Sequence, residues 1–301
     1  VTIILKGVDS MRYEGTVYRP PSEANSLLIQ ATIGCPHNKC SFCAMYKHTK
    51  FRLRSVQEIK EDLLSARNYY GENIHSLFFP DGNTIIMKTD QLVEIFEYAH
   101  SLFPHLNRIT VYGSARFVNK KSAEDLLRLK IAGLSRIHTG MESGDDITLQ
   151  KINKGTTSEQ IISAGLKLKE VGIETSEYYL VGIGGLERMQ EHAINSAKVL
   201  SAFSPDYIRL RTYVPIPGTQ LYEEYQDGKF KLLGPHEALR EIRLLVENLN
   251  CENSMVLSDH VSNYWNVQGL LPRDQATMLA SIDHALTIDE RQFRPAHISR
   301  L

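Results

Sequence analysis

The sequence predicts an α/β fold, a (β/α)6 partial barrel followed by a helical C-terminal extension. Apolar, β-rich runs alternate with amphipathic stretches, the alternation covers six strands, and the segment after them has helical apolar spacing. Alternation at this period is typical of βαβ units and a parallel sheet. Six units are too few for the eight of a closed TIM barrel, so the barrel is expected to be partial.

Each predicted element has its own signal in the chain. Six segments have the composition of buried strands, at 26–33, 74–80, 108–114, 135–142, 174–182 and 206–213. Five segments have helical spacing, at 55–70, 90–103, 122–132, 157–171 and 188–203. Ser55 with Glu58, and Ser122 with Asp125, predict capping boxes at two helix starts.

The chain is expected to contain three regions: a lead-in at 1–25, a core at 26–220 and a mainly helical extension at 221–301. Six strands do not close a barrel, so something must cover its open side. We expect the segment 235–301 to do so and to help form a substrate pocket. Its polar groups include Asp259, His260, Asn263 and Tyr264.

Composition narrows the functional classes. The formal net charge of −1 over 301 residues does not favour a large non-specific nucleic-acid surface. The sequence has no apolar stretch near the length of a transmembrane helix, so no membrane contact is predicted. The apolar run at the N-terminus is short and has no cleavage site, so no signal peptide is predicted. Three of the four cysteines are clustered, which favours a reducing, cytoplasmic compartment.

The clustered cysteines are Cys35, Cys40 and Cys43, directly after the first predicted strand and Gly34. Thiolates suit iron–sulfur clusters, and three of them leave the fourth iron of a [4Fe–4S] cube open. Two alternatives remain at this point, a disulfide pair and a zinc site. Zinc would need a fourth ligand, such as His37 or His48.

The cysteine loop resembles the cluster-binding loop of the radical S-adenosylmethionine (SAM) superfamily. The usual spacing there is C-x3-C-x2-C with an aromatic residue before the last cysteine. Here the spacing is C-x4-C-x2-C, and Phe42 fills the aromatic position. The resemblance covers residues 26–220 and is nearest to oxygen-independent coproporphyrinogen oxidases, methylthiotransferases and Elp3-type cores. It implies a [4Fe–4S] cluster on Cys35, Cys40 and Cys43, bound SAM, and the partial-barrel fold.

In a parallel α/β barrel, ligands bind at the C-terminal ends of the strands. The resemblance assigns SAM-binding roles to three strand ends: the methionine amino group to Asp81, Gly82 and Asn83, the ribose hydroxyls to Glu142 with Ser143, and close backbone approach to adenine to Gly182. A plain Asp-Gly turn is the alternative for the first segment. A helix N-terminal charge is the alternative for Glu142.

Two further strand ends carry candidate residues. After the third strand, Ser114 and Arg116 lie where an arginine could pair with the methionine carboxylate or a substrate acid, although a surface arginine fits equally. Arg209 and Arg211 alternate on the sixth strand, so they point to one face. If that face is interior, one of them is a carboxylate clamp; otherwise both must pair with acids. In the following P-x-P-G-T segment, Val214 and Ile216 suit an adenine edge.

The resemblance implies reductive cleavage of SAM to a 5′-deoxyadenosyl radical, which takes hydrogen from a substrate. A small-molecule substrate and a flavodoxin- or ferredoxin-type electron donor are expected. A tRNA- or protein-modifying enzyme is the alternative, and a non-catalytic iron–sulfur or zinc protein is less favoured. No nucleic-acid partner is predicted, because the tail has no aromatic–basic interleaving. No residue is assigned as catalytic. Candidates for substrate contact, each also compatible with a structural role, are Tyr112, Arg116, His138, Tyr179, His260 and Tyr264.

Overall fold

The structure, a computed structural model, describes residues 11–293. The outer parts of the predicted lead-in and extension, 1–10 and 294–301, lie outside the described residues. The described chain divides into two compact units. The first consists of 11–38, 46–139 and 167–174, and the second of 39–45, 140–166 and 175–293.

Ten strands form within residues 11–293: β1 (Leu27–Leu28), β2 (Thr32–Ile33), β3 (Arg52–Leu53), β4 (Ser76–Phe79), β5 (Arg108–Gly113), β6 (Leu134–Glu142), β7 (Glu174–Val181), β8 (Tyr207–Thr212), β9 (Met255–Leu257) and β10 (Gln268–Leu270). Eight of them belong to one mostly parallel sheet. The other two, β2 and β3, pair with each other in an antiparallel ribbon.

The described residues also form ten α-helices: α1 (Val56–Tyr70), α2 (Thr89–Leu102), α3 (Ala115–Val118), α4 (Ala123–Ile131), α5 (Asp146–Lys151), α6 (Ser158–Glu170), α7 (Met189–Phe203), α8 (Gln220–Gln226), α9 (Pro235–Asn248) and α10 (Gln275–Ala285). Short 3-10 turns lie at Pro21–Glu23, Thr84–Ile86, Leu186–Arg188 and Glu290–Gln292. None of these helices has both the length and the apolar composition needed to cross a membrane.

In the first unit, β1, β4, β5 and β6 run parallel side by side. Leu77, Phe78 and Phe79 of β4 are all fully buried, as expected for a parallel strand covered on both faces. Phe78 contacts Tyr112 with ring centroids 5.1 Å apart, and Tyr112 is in register with His138. On this unit α1 packs on α2, and α2 packs on α4.

In the second unit, β7, β8 and β9 run parallel, and β10 pairs antiparallel with β9. Helix α9 packs between α7 and α10. The segment after residue 220 therefore contains two strands besides its helices. Runs of three residues are too short to show a period of two, which is why the sequence predicted a mainly helical extension without these strands.

Most predicted boundaries lie within two residues of the observed ones, and the predicted capping boxes at Ser55 and Ser122 are both present. The predicted strand 26–33 is the exception, because it divides into β1 and β2. Gln30 lies between the two strands, and its side-chain amide donates to Asp81 Oδ2 (3.0 Å). The chain turns there to pair with β3 instead of continuing along the main sheet.

Candidate functional site

The cysteine loop contributes to both units. Cys35 belongs to the first unit, and Cys40 and Cys43 belong to the second. All three are free thiols and partly exposed, whereas the fourth free thiol, Cys251, is buried. In the first unit the backbone N–H of Asn38 donates to Cys35 Sγ (3.5 Å).

In the first unit, Asp81 holds the start of this loop. It follows β4 in the left-handed region (φ 74°) and is buried. Its carboxyl accepts hydrogen bonds from the side-chain amide of Gln30 (3.0 Å), the N–H of Gly34 (3.3 Å) and the hydroxyl of Tyr46 (3.3 Å). Burial raises the pKa of Asp81 to about 7, although these hydrogen bonds oppose that shift. Asp81 therefore fixes the residue that precedes Cys35.

Gly82 packs directly against the loop. Its N–H donates to the carbonyl oxygen of Gly34 (3.0 Å). A Cβ atom at this position would lie 2.7 Å from the Cα atom of Cys35, closer than real contacts allow. The site therefore needs glycine because the two backbones touch.

Asn83 is the polar residue of this segment with a free acceptor. Its side-chain N–H donates to Ser114 Oγ (2.8 Å), which fixes the orientation of the amide. Its Oδ1 is buried and has no hydrogen-bond partner among the described residues. Arg116, two residues after Ser114, is exposed and lies over the ring of Phe117 (5.7 Å), a surface arrangement.

In the second unit, Glu142 ends β6 in the left-handed region (φ 62°). Its carboxylate accepts a hydrogen bond from Lys154 Nζ at 2.9 Å, and both side chains are about 15% exposed. Burial lowers the pKa of Lys154, but the charges of Glu142, Cys40 and Cys43 outweigh it and hold that pKa above its ordinary value. One cation thus lies beside a candidate ribose ligand and near two candidate cluster ligands.

Sequence reasoning did not anticipate Lys154. It follows α5 in the turn Asn153-Lys154-Gly155, where residues 153 and 155 are left-handed. In the sequence this turn looks like an ordinary helix end with a surface lysine. Predicting the ion pair between Lys154 and Glu142 would require knowing how α5 folds back towards the end of β6. The twelve residues that separate the pair in the sequence do not indicate this.

The second-unit part of the cysteine loop is anchored by its backbone and by Phe42. The N–H of Ser41 donates to the carbonyl of Ile152 (2.9 Å), and the N–H of Leu221 donates to the carbonyl of Ser41 (2.9 Å). Phe42 packs against an apolar cluster formed by Ile152, Ile183, Tyr213 and Leu221. The aromatic position of the motif is thus a packing position in this unit.

Ser143 and Gly182 contact buried polar groups of the second unit. Ser143 is fully buried, and its Oγ lies 2.8 Å from His192 Nδ1. Gly182 is left-handed (φ 80°), and its N–H donates to Glu241 Oε1 (2.8 Å). Helix α9 carries Glu241, a residue that the sequence alone did not single out.

The two arginines of β8 have different surroundings. Arg209 is buried, and its Nε donates to Ser176 Oγ on β7 (3.0 Å). Arg211 is exposed, although it points to the same face. In the segment that follows, Val214 is partly exposed and Ile216 is exposed. The hydroxyl of Thr219 accepts from the N–H of Tyr222 and caps α8.

Two of the candidates for substrate contact are held by buried partners. His138 Nε2 lies 3.1 Å from the carboxylate of Glu23, and both side chains are fully buried. The hydroxyl of Tyr179 donates to Glu241 (2.8 Å). Among residues 11–293, no three histidine, cysteine or acidic side chains could hold a single metal ion. The cysteines of a [4Fe–4S] cube bind different irons, so they need not converge on one ion.

The comparisons with known proteins agree with the cysteine motif. The family model of the Radical SAM superfamily matches residues 29–196, more than half of the chain. The chain belongs to the radical SAM superfamily. Members of this superfamily are enzymes that use a [4Fe–4S] cluster and SAM, act on a substrate and need a reductant.

Individual relatives are distant. An uncharacterised protein of Methanocaldococcus jannaschii is 23% identical over 228 residues, which cover 72% of this chain and 70% of that protein. The biotin synthase of Sulfurihydrogenibium sp. is 25% identical over 260 residues, or 82% of this chain and 74% of that protein. Biotin synthase from Methanococcus aeolicus is 24% identical, and the chain spans 64% of its length.

Solved structures support the predicted fold. Methylornithine synthase superposes with a TM-score of 0.53 at 18% identity, covering 85% of this chain and 68% of that one. Coproporphyrinogen III oxidase from Escherichia coli gives 0.54 at 18% identity, covering 74% of this chain and 51% of that one. These likenesses confirm the predicted radical SAM core fold.

Proposed function

We propose that this radical SAM enzyme acts on a small molecule, with residues 26–220 as its catalytic core. The observation that carries the radical SAM chemistry is the charge arrangement of the second unit. There Lys154 is paired with Glu142 and acts electrostatically on Cys40 and Cys43. The family match begins at residue 29 and so includes the whole cysteine loop.

The donor set fits a [4Fe–4S] cluster. Cys35, Cys40 and Cys43 are free and partly exposed, and three thiolates leave one iron for SAM. A cluster held by these residues would supply one electron, taken from an external reductant, for the reductive cleavage of SAM. Buried Cys251 is not proposed as a ligand.

The first unit offers groups for the methionine end of SAM. The buried Oδ1 of Asn83 needs a donor, and an ammonium group is one. Ser114 orients that amide by accepting its N–H. Asp81 and Gly82 act differently, because their contacts hold Gly34 and Cys35 in place. We therefore propose Asn83 as the binding residue and Asp81 as its support.

The second unit offers groups for the carboxylate and the nucleoside. We propose that Lys154 pairs with the methionine carboxylate and that Glu142 accepts from the ribose hydroxyls. Lys154 and Glu142 pair with each other in the structure. On ligand binding that ion pair would be replaced by a contact from Lys154 to the carboxylate and a contact from the ribose hydroxyls to Glu142. Gly182 has no side chain to obstruct adenine. Val214 and Ile216 present apolar surface for its edge.

Three features support a small-molecule substrate and a soluble electron donor. The net charge is −1, which does not favour a polyanionic partner. The segment 235–293 carries no aromatic–basic interleaving. Clustered free thiols suit the reducing cytoplasm, where flavodoxin or ferredoxin would supply the electron. The alternative is a tRNA or protein substrate, and the experiment below distinguishes it from a small molecule.

The proposal is tested with deuterated cell extract. The reconstituted enzyme is incubated anaerobically with SAM, reduced flavodoxin and either the low-molecular-mass, RNA or protein fraction of that extract. Deuterium in 5′-deoxyadenosine is then measured by mass spectrometry. We expect transfer from the low-molecular-mass fraction and none with Cys40→Ala. Transfer from the RNA or protein fraction alone would reject the small-molecule assignment.

A further inference from the structure

The carboxyl group of Glu241, on helix α9, is fully buried in the second unit. Its Oε1 accepts two hydrogen bonds, from the hydroxyl of Tyr179 (2.8 Å) and from the N–H of Gly182 (2.8 Å). Its Oε2 has no hydrogen-bond partner among the described residues. An acid from the C-terminal segment is thus bonded to the end of β7 and to the turn that follows it.

That turn, at 180–185, contains glycines, which restrain the backbone less than other residues do. Gly182 and Gly185 are both left-handed, with φ of 80° and 68°. The N–H of Ile183 donates to Leu180, and the N–H of Gly185 donates to Gly182. Glycine gains many conformations when a turn loosens, so a fixed external acceptor matters here. Glu241 is the acceptor that holds the N–H of Gly182.

The same carboxyl group is connected to a second strand end through His192. The ring of Tyr179 stacks on His192 with centroids 4.5 Å apart, and His192 Nε2 lies 3.4 Å from Glu241 Oε1. His192 Nε2 also lies 3.2 Å from the carbonyl of Leu180, and its Nδ1 lies 2.8 Å from Ser143 Oγ. Contacts therefore continue from Glu241 to the residue directly after Glu142.

We propose that Glu241 is a positioning residue for the nucleoside end of SAM. It fixes the turn 180–185 directly and the Glu142–Ser143 segment through His192. The inference rests on the proposed function, in which Gly182 and Glu142 contact the nucleoside. It also gives the C-terminal segment a specific role in that site.

The protonation of this cluster makes the role measurable. Burial lowers the pKa of His192 to about 4 and raises that of Tyr179 well above its ordinary value, so both stay neutral near pH 7. Burial raises the pKa of Glu241 to about 8. Among these three side chains, contributed by β7, α7 and α9, Glu241 is therefore the one that changes charge in mildly alkaline solution. Ionisation leaves a buried charge with Oε2 unpartnered, which disfavours the packed arrangement.

The test compares SAM dissociation constants of the reconstituted holoenzyme by anaerobic calorimetry. Glu241→Ala is expected to weaken SAM binding about fivefold at neutral pH. Glu241→Gln retains an acceptor oxygen and is expected to bind as the wild type does. Glu247→Ala is the matched control, because Glu247 is exposed on the same helix and pairs with Arg243. In alkaline buffer the wild type should lose affinity, and Glu241→Gln should keep it.

Hydrogen exchange without SAM gives a second readout. Peptides covering 180–185 should exchange faster in Glu241→Ala and at the wild-type rate in Glu241→Gln and Glu247→Ala. If Glu241→Ala does not fold, the alkaline comparison of Glu241→Gln with the wild type decides the matter. Wild-type exchange and wild-type SAM affinity in Glu241→Ala, or identical pH profiles for Glu241→Gln and the wild type, would overturn the inference alone. Failure of the wild type to bind SAM would overturn the proposed function as well.

Discussion

Two acids follow parallel strands in this protein, one in each unit, and their surroundings differ. Asp81 after β4 and Glu142 at the end of β6 are both left-handed, with φ of 74° and 62°. The carboxyl of Asp81 accepts from Gln30, Gly34 and Tyr46, all protein donors in its own unit. Glu142 pairs with Lys154, a flexible cation.

This difference in partners is the reason for proposing that Asp81 supports the fold and that Glu142 binds SAM. A buried carboxyl that accepts from backbone and side-chain donors is held in place by them. If it moved away, those donors would remain buried without an acceptor. An ion pair that is partly exposed can exchange its partner for a ligand of the same charge pattern. We propose that an acid at this kind of position supports the fold in one unit and binds the ligand in the other.

The largest expected effect concerns the three clustered cysteines. Replacing Cys40 with Ala removes one thiolate from a three-thiolate site, so the reconstituted protein should lose most of its iron and sulfide. Cys251→Ala is the matched control, because Cys251 is buried and lies 4.0 Å from Ser201 Oγ. Iron and sulfide analysis after anaerobic reconstitution measures both. A full cluster complement in Cys40→Ala would contradict the assignment.

The next effect tests whether burial in the second unit raises the pKa of Glu241. Burial raises the pKa of Glu241 from about 4.5 to about 8, so the folded chain holds this proton more tightly than the unfolded chain. The associated stability is complete below about pH 4.5 and is lost as pH rises to about 8. Relative to Glu241→Gln, which does not ionise, the wild type should lose up to about 5 kcal/mol of unfolding free energy over that window.

Urea unfolding of the two proteins at a series of pH values measures this difference. Glu247→Gln, changed at an exposed position of the same helix, should follow the wild type throughout. A constant gap between the wild type and Glu241→Gln from acid to alkaline buffer would show that Glu241 keeps an ordinary pKa.

A third prediction separates the two strand-end acids by stability. Asp81→Ala leaves the donors of Gln30, Gly34 and Tyr46 without their acceptor, which should cost about 2–3 kcal/mol of unfolding free energy. Asp81→Asn keeps an acceptor oxygen and should recover most of it. Glu142→Ala breaks one ion pair, and the long Lys154 side chain can turn its ammonium group towards water, so the loss should be smaller than for Asp81→Ala. Urea unfolding of the cluster-free protein compares all three, and equal losses for Asp81→Ala and Glu142→Ala would remove the distinction.

The smallest effect is on SAM affinity. Here the Glu142 variant should show the larger loss, whereas the Asp81 variant shows the larger loss of stability. Glu142→Ala should raise the SAM dissociation constant by about tenfold or more, since a hydrogen bond to a charged group is worth about 1.5–3 kcal/mol. The cluster content should stay unchanged. Asp81→Asn, the matched variant of the supporting acid, should bind SAM as the wild type does. If Glu142→Ala binds SAM with unchanged affinity, Glu142 is only a charge at a helix N-terminus and does not bind SAM.

The sequence predicted the core elements well because they have strong local signals. Alternating apolar runs placed β4 to β8 and the helices between them within about two residues. The division of 26–33 into β1 and β2 was missed, because β1 pairs with β4 and β2 pairs with β3, both distant along the chain. Local patterns contain no information on such pairings.

The candidate site was predicted unevenly for the same reason. The sequence motifs pointed to Asp81 and Glu142 as candidates. They did not indicate that Asp81 accepts hydrogen bonds from its own unit or that Glu142 pairs with Lys154. Lys154 and Glu241 were missed because each lies in an ordinary helical context and acquires its role through tertiary contacts. The roles assigned to the strand-end residues remain predictions, which the variants above test.

The most direct test of the three-cysteine site is electron paramagnetic resonance of the reduced, reconstituted protein with and without SAM. Three protein thiolates leave one iron open, so SAM should bind that iron and change the spectrum of the reduced cluster. We predict a [4Fe–4S] signal in the wild type that shifts when SAM is added and is lost in Cys40→Ala. Zinc in place of iron, or an iron–sulfur signal that SAM leaves unchanged, would contradict the account.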